Sequence, residues 1–253
     1  MVNSTLILKP RRVPLVAEES RGYQVLAKDW ETGLKVVRDF GDQNSLYEHL
    51  VDVRGRGNSG PVQFPFDAYS YHYGLLDGEL AVGTLTVTRL VDGILDCQSI
   101  YPSCILKSFH QEVFTTCKFR ISGTGKSSFR TLRMMLRHAW RDQIVQGSRL
   151  VLINADQKLV PFYKRIGFEV IQDSEFVHPL LGTASICLLM RADPNSRSFF
   201  SDLFEKVEQP ITAADIARCH DIHQSADDDC QSPPIANVGI HSHPFPSRHF
   251  QGA

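Results

Sequence analysis

Two groups of side chains stand in patterns that chemistry can use. The first is the run Arg120-Ile-Ser-Gly123-Thr-Gly125-Lys126-Ser127-Ser128, which leads into a helical stretch beginning at Phe129. Backbone N–H groups at a helix start point outward without partners, and the helix dipole adds partial positive charge. Glycines let the chain approach a phosphate closely, and Arg130 and Arg133 follow on the first turn. Gly123, Gly125, Lys126, Ser127 and Ser128 therefore read either as a phosphate cradle or as a flexible connector before a solvated basic face. The four-residue spacing between glycines of a Walker loop is missing. The second group moves protons. The phenol of Tyr163 can donate one, or serve as an amphipathic core ring. Glu112, at the start of a β-prone run, can accept one from an ammonium, directly or through water, or be a solvated strand end. Asp67 and His72 are alternatives for that role, His72 because imidazole titrates near neutrality.

These residues need elements to hold them. Short β-prone runs cover residues 23–28 and 34–40. Capping side chains at residues 42–45 precede a helix over 46–53. Asp77-Gly78 joins runs 71–76 and 80–90 as a hairpin. Residues 91–110 read as irregular and 112–121 as a strand. Over 129–145, Leu132, Met135, Leu136, Ala139 and Trp140 recur at spacings of three and four. Arg130, Arg133, Arg137 and Arg141 form the opposite, basic face, and Gly147 closes the helix. A buried strand at 150–154, a short helix at 159–166 and strands at 168–171 and 184–190 complete the pattern. The order predicts an α/β (α+β) fold with a mixed central sheet flanked by helices. The divisions expected are an irregular lead-in at 1–22, a main domain at 23–193, a helical extension at 194–223 and a disordered tail at 224–253.

The 253-residue chain carries a formal net charge of −1, with hydrophobic residues at 42% and charged residues at 22%. That balance allows a sizeable core and favours neither nucleic acid nor an anionic membrane as partner. No apolar run is long enough to span a bilayer, and the N-terminal order of charge is not that of a signal peptide, so a cytoplasmic protein without stable membrane insertion is expected. Cys97, Cys104, Cys117, Cys187, Cys219 and Cys230 form no C-x-x-C pair and read as reduced thiols. The histidines at 220, 223, 241, 243 and 249 lack companion ligands, so no metal is expected.

The run Val151-Leu-Ile-Asn-Ala-Asp-Gln-Lys-Leu-Val-Pro-Phe-Tyr-Lys-Arg-Ile-Gly-Phe168 resembles the late signature of the GNAT acyltransferases. The resemblance implies a strand that splays from its neighbour near Asn154, a thioester cofactor entering the gap, and Tyr163 on the following helix beside the thiol sulfur. Arg120-Ile-Ser-Gly123-Thr-Gly125 fits the family's R-x-x-G-x-G pyrophosphate loop, although counting back from Gly147 places that loop nearer Ser127–Arg130. Asp67-Ala-Tyr-Ser-Tyr-His72-Tyr, the Asp77-Gly78 hairpin, Arg89-Leu90, Tyr101-Pro102, Glu112-Val113 and the segment 176–190 together resemble the N-acyl amino acid synthases and the acyl-homoserine-lactone synthases. On that resemblance, Arg54 and Arg89 bind polar substrate groups; a bidentate guanidinium suits an acceptor carboxylate, and surface arginines are the plain alternative. Thr115 stands where the lactone synthases carry arginine, which speaks against lactone synthesis.

The function implied is transfer of an acyl group, of fatty type, from an acyl carrier protein or coenzyme A thioester to the amine of an amino acid, small molecule or peptide. Acyl-CoA or acyl-phosphopantetheine is then a co-substrate, with no tightly bound cofactor. The basic helix face is a candidate dock for an acidic carrier protein. A non-catalytic binding module of the same fold, and an autoinducer lactone synthase, are the alternatives.

Overall fold

The computed structural model describes residues 23–56, 61–121, 129–196 and 198–219. The β-prone runs form β1 (Gln24–Lys28), β2 (Lys35–Phe40), β3 (Ser70–Asp77), β4 (Leu80–Arg89), β5 (Val113–Ile121), β6 (Leu150–Asp156), β7 (Glu169–Val177) and β8 (Ala184–Arg191). They make one sheet in the order β1-β2-β3-β4-β5-β6-β8-β7. Every neighbouring pair is antiparallel except β5 and β6. The fold is therefore α/β, a mixed sheet flanked by helices.

The helices are α1 (Ser45–Gly55), α2 (Ser103–Ser108), α3 (Phe129–Val145), α4 (Val160–Ile166) and α5 (Ser201–Phe204). Strand alternation divides the core. Along β6, Val151, Ile153 and Ala155 join the cluster under α3, whereas Leu150 and Leu152 join the cluster under α2. A third cluster beneath α1 holds Val37, Leu46, Leu50, Val53 and Leu76. Helix α3 is fastened to the sheet by Trp140, edge-on to Phe114 at 4.8 Å. A polar clasp adds to it: the Tyr73 hydroxyl donates to Asp142 (2.6 Å) and accepts from Gln143 (2.7 Å).

Helix α1 starts where expected, because the Asn44 side chain accepts from the Tyr47 N–H at 2.7 Å. Residues 91–110 depart from the irregular reading. Pro102 supplies the preset φ that opens α2, and six residues are too few to show a helical period. Strand β7 runs past the expected end at Ile171, because Asp173 adopts a left-handed φ of 55° and a bulge carries the strand onward. Within the helical extension expected at 194–223, the first helix is the short α5. Residues 213–219 are helical, and the rest of the extension expected to reach residue 223 lies outside the described residues, as do the lead-in and the tail. Phe200 and Phe204 join the α3 cluster and Ile211 and Cys219 the α2 cluster, so residues 194–219 are built into both cores.

Candidate active site

The parallel pair is bonded only at its start. Val113 faces Leu150, Phe114 faces Val151 and Thr115 faces Leu152; then β5 continues to Ile121 and β6 to Asp156 with no further ladder between them. A cavity of about 640 Å³ occupies the opening. Phe114 and Ala155, which point toward α3, line it together with Asn154 and Ser185, which point the other way. Side chains from opposite faces of a sheet meet in one cavity because the strands have parted. On the α3 side the wall is hydrocarbon and aromatic: Leu85, Val87, Phe114, Leu136, Trp140 and Phe200. On the α2 side Asp96, Lys118, Asn154, His178, Thr183 and Ser185 supply polar groups.

Tyr163 belongs to the cavity wall. Its ring sits edge-on to Phe162 (5.3 Å) and Phe168 (5.4 Å). Among the described residues none bonds its hydroxyl, and burial raises its pKa, so the phenol stays protonated beyond the ordinary tyrosine range. Helix α4 ends at Gly167, whose φ of 111° suits glycine. A Cβ there would also lie 2.8 Å from Ser198. Asn154 lines the opening and its side-chain amide donates to the Tyr101 hydroxyl at 3.4 Å. That hydroxyl also lies 3.3 Å from the Thr115 hydroxyl.

The polar cluster at the cavity belongs to no motif in the sequence. Asp96 and His178 are 5% and 3% exposed, yet both line the cavity. Lys118 Nζ lies 3.7 Å from the Asp96 carboxylate and 3.7 Å from the centre of the Phe64 ring. His178 Nδ1 accepts from the N–H groups of Leu180 (3.2 Å) and Leu181 (3.3 Å), which assigns its ring proton to Nε2, the nitrogen 3.7 Å from Cys97 Sγ. Burial lowers the pKa of this imidazole, keeping it neutral at pH 7. Burial, then Asp96, pushes the Cys97 thiol up to about 12. Ligand-type atoms of Asp96, Cys97 and His178 lie within 4.8 Å of one another. As they stand, the Cys97 thiol donates toward Asp96 Oδ1 at 3.6 Å and receives the His178 Nε2 proton at 3.7 Å, a hydrogen-bonded chain.

Several expected site residues lie elsewhere. Glu112 stands at the zipped end of the parallel pair: its carbonyl accepts from Arg149 (2.9 Å) and Leu150 (3.1 Å), and its carboxylate pairs with Arg149 at 3.1 Å. It is not among the residues that line the opening. Arg54, Asp67 and His72 are 4%, 0% and 0% exposed and line no part of the cavity. Arg54 pairs with Asp67 at 2.9 Å and donates to His72 Nδ1 (3.1 Å) and to the Thr86 hydroxyl, while His72 Nε2 donates to the Asp67 carbonyl at 3.0 Å. Burial draws the His72 pKa down to about 4, so it does not titrate near neutrality. Arg89 is held by Asp92 (3.1 Å) and Gln146 (3.1 Å).

The basic helix face is also largely engaged. Arg130 pairs with Glu31 and with Asp29, Arg137 pairs with Asp202, and Arg133 lies over the Phe199 ring at 4.8 Å. Arg120 donates to the Arg54 carbonyl at 3.3 Å. Gly123, Gly125, Lys126, Ser127 and Ser128 lie outside the described residues.

A mixed sheet with one parallel pair parted over a through-going cavity, and a phenol on its wall, has the form of a GNAT-type acyltransferase. The family model of the N-acyl amino acid synthase FeeM matches residues 59–193, more than half of the chain. The chain belongs to this family, and its class of chemistry is N-acyl transfer. No curated protein matches it by sequence. Among solved structures, FeeM from uncultured soil microbes is similar at 17% identity and a TM-score of 0.48, covering 57% of this chain and 87% of that one. An acyl-CoA N-acyltransferase from Pseudomonas aeruginosa is similar at 12% identity and 0.46, covering 62% and 99%. The CoA-dependent acyl-homoserine lactone synthase MesI is similar at 14% identity and 0.43, covering 67% and 92%. No helix among the described residues is long and apolar enough to cross a membrane.

Proposed function

We propose that this N-acyltransferase moves a fatty acyl group from a phosphopantetheine thioester, carried by coenzyme A or an acyl carrier protein, to the amine of an amino acid, a small molecule or a peptide. The observation that carries the reading is the cavity through the parted sheet. Its wall is hydrocarbon on the α3 side and polar on the other, with Tyr163 on the same wall. A volume of about 640 Å³ is of the size that takes a whole small ligand. A wall of Leu85, Val87, Phe114 and Trp140 suits an alkyl chain and would strand the amides of a pantetheine arm. The amine attacks the thioester carbon, Tyr163 protonates the departing sulfur, and a backbone N–H at the strand gap near Asn154 stabilises the oxyanion. The phosphates fall to the loop at residues 120–128 with Arg130 and Arg133. The pairs made by Arg130 leave a smaller free charge there for a carrier protein than the sequence offers. Incubation with acyl-CoA and acyl-carrier-protein donors and an amine pool, read by mass spectrometry, tests the reading. An N-acyl product is expected; donor binding without any product would establish a non-catalytic module instead.

Acyl length provides a second test. Phe200 lies beyond the family-matched segment, is 1% exposed, and lines the cavity with Trp140, their ring centres 6.1 Å apart. Phe200→Leu is expected to shift the preferred acyl chain upward by about one methylene, the volume that the smaller side chain frees. One methylene in an apolar pocket changes kcat/KM by roughly tenfold or more. A kcat/KM series over acyl donors of increasing length measures this, and an unmoved optimum removes Phe200 from the pocket.

A further inference from the structure

We propose that Asp96 and Lys118 receive the acceptor as a zwitterion, Asp96 binding its ammonium and then taking a proton from it, Lys118 binding its carboxylate. The proposal rests on the acyl-transfer reading above and assigns the acceptor subsite within it. The Asp96 carboxylate is 5% exposed and lines the cavity, but its polar partners among the described residues are Cys97 Sγ at 3.6 Å and Lys118 Nζ at 3.7 Å. A buried carboxylate ordinarily accepts several shorter bonds, so this one keeps lone pairs for a ligand. The adjoining cation makes the subsite selective. A plain ammonium approaching Asp96 meets the charge of Lys118, whereas a zwitterion offers each side chain its opposite sign. The backbone is bent toward this arrangement: Cys97 and Lys118 both hold a left-handed φ of 53°, a strained conformation for side-chain-bearing residues.

The proton count closes. The ammonium loses one proton to Asp96, which passes it to solvent. The freed lone pair attacks the thioester carbon, the C–N bond forms and the C–S bond breaks. Tyr163 gives its proton to the sulfur and regains one from the nitrogen, leaving an amide and a thiol. Asp96 thus takes the role that sequence reading gave to Glu112.

The test offers dodecanoyl-CoA and dodecanoyl-acyl carrier protein with a mixture of the twenty proteinogenic amino acids. The amino acid giving most product is then compared with its own amide and decarboxylated amine. Wild type is expected to prefer the amino acid by about tenfold or more in kcat/KM, and Lys118→Met to bring the three within about twofold by raising KM for the amino acid alone. Asp96→Asn is expected to lower kcat by about 10²-fold at neutral pH, the deficit shrinking as pH rises and free amine no longer needs a base. Thermal melts accompany both variants; if Asp96→Asn does not fold, Lys118→Met decides. Equal use of acid, amide and amine by wild type, or an unchanged preference in Lys118→Met, overturns the subsite while leaving acyl transfer standing. Absence of any acylation by wild type defeats the transfer reading and the subsite with it.

Discussion

Tyr163→Phe is expected to lower turnover by about 10²–10³-fold while leaving donor affinity within about twofold. The ring's place is set by Phe162 and Phe168, which phenylalanine at position 163 would still meet edge-on, so the pocket keeps its shape. What the substitution removes is a proton donor. A departing thiolate without one must leave as an anion into a partly apolar cavity, which is costly. Burial raises the tyrosine's pKa, so the protonated, competent form persists to higher pH than for an exposed phenol. In wild type the alkaline fall in kcat that belongs to Tyr163 is therefore displaced upward, and in Tyr163→Phe that limb disappears. Product formation under donor saturation gives kcat, and calorimetric titration of acyl-CoA gives the affinity. Unchanged turnover removes Tyr163 from the mechanism; a parallel loss of affinity makes it a wall residue.

The strand gap and its phenol were legible because they are local. A strand, a polar break and Phe162-Tyr-Lys-Arg-Ile-Gly-Phe168 sit within eighteen residues, and Gly167 marks the turn by a conformation that few other residues tolerate. The acceptor side was not legible, because Asp96, Lys118 and His178 come from three separate segments and meet through tertiary folding. Of these, the sequence marks only His178, within a segment read for its family likeness and not for its imidazole. The setting of Glu112 was not legible either, because a strand-start carboxylate looks the same whether the neighbouring strands part beside it or, as here, are zipped by Arg149 and Leu150. The partners of the basic face of α3 were hidden for a similar reason. Asp29, Glu31 and Asp202 lie far away in sequence, and they engage Arg130 and Arg137 once the sheet is assembled. Phe200 falls in the stretch expected only as a helical extension, and nothing in the spacing of residues 198–204 indicates that the segment docks on Gly167 and Trp140.

The largest effect on stability is expected at Asp67. Its carboxylate pairs with Arg54 at 2.9 Å, accepts from the Tyr47 hydroxyl at 2.8 Å and caps the Phe64 N–H at 2.9 Å, joining α1, the turn before β3 and the sheet. Both ionic side chains are withdrawn from water, at 3% and 0% exposure. Asp67→Asn preserves size but leaves the Arg54 guanidinium buried without its counter-charge. Breaking such a pair on one side costs about 3–5 kcal/mol, which for a chain of this size corresponds to a fall of roughly 10 °C in Tm. The network explains why the loss is not relieved locally. His72 is neutral and offers Arg54 a single lone pair, and Thr86 offers a hydroxyl, neither of them a compensating charge. The paired change Arg54→Met with Asp67→Leu is therefore expected to cost less than Asp67→Asn alone, because it removes both charges together. Reversible melts of the three proteins measure this, with KM for the amine as the control. Should Asp67→Asn melt like wild type and raise KM instead, Arg54 and Asp67 belong to substrate binding after all, and the interior network is incidental to folding.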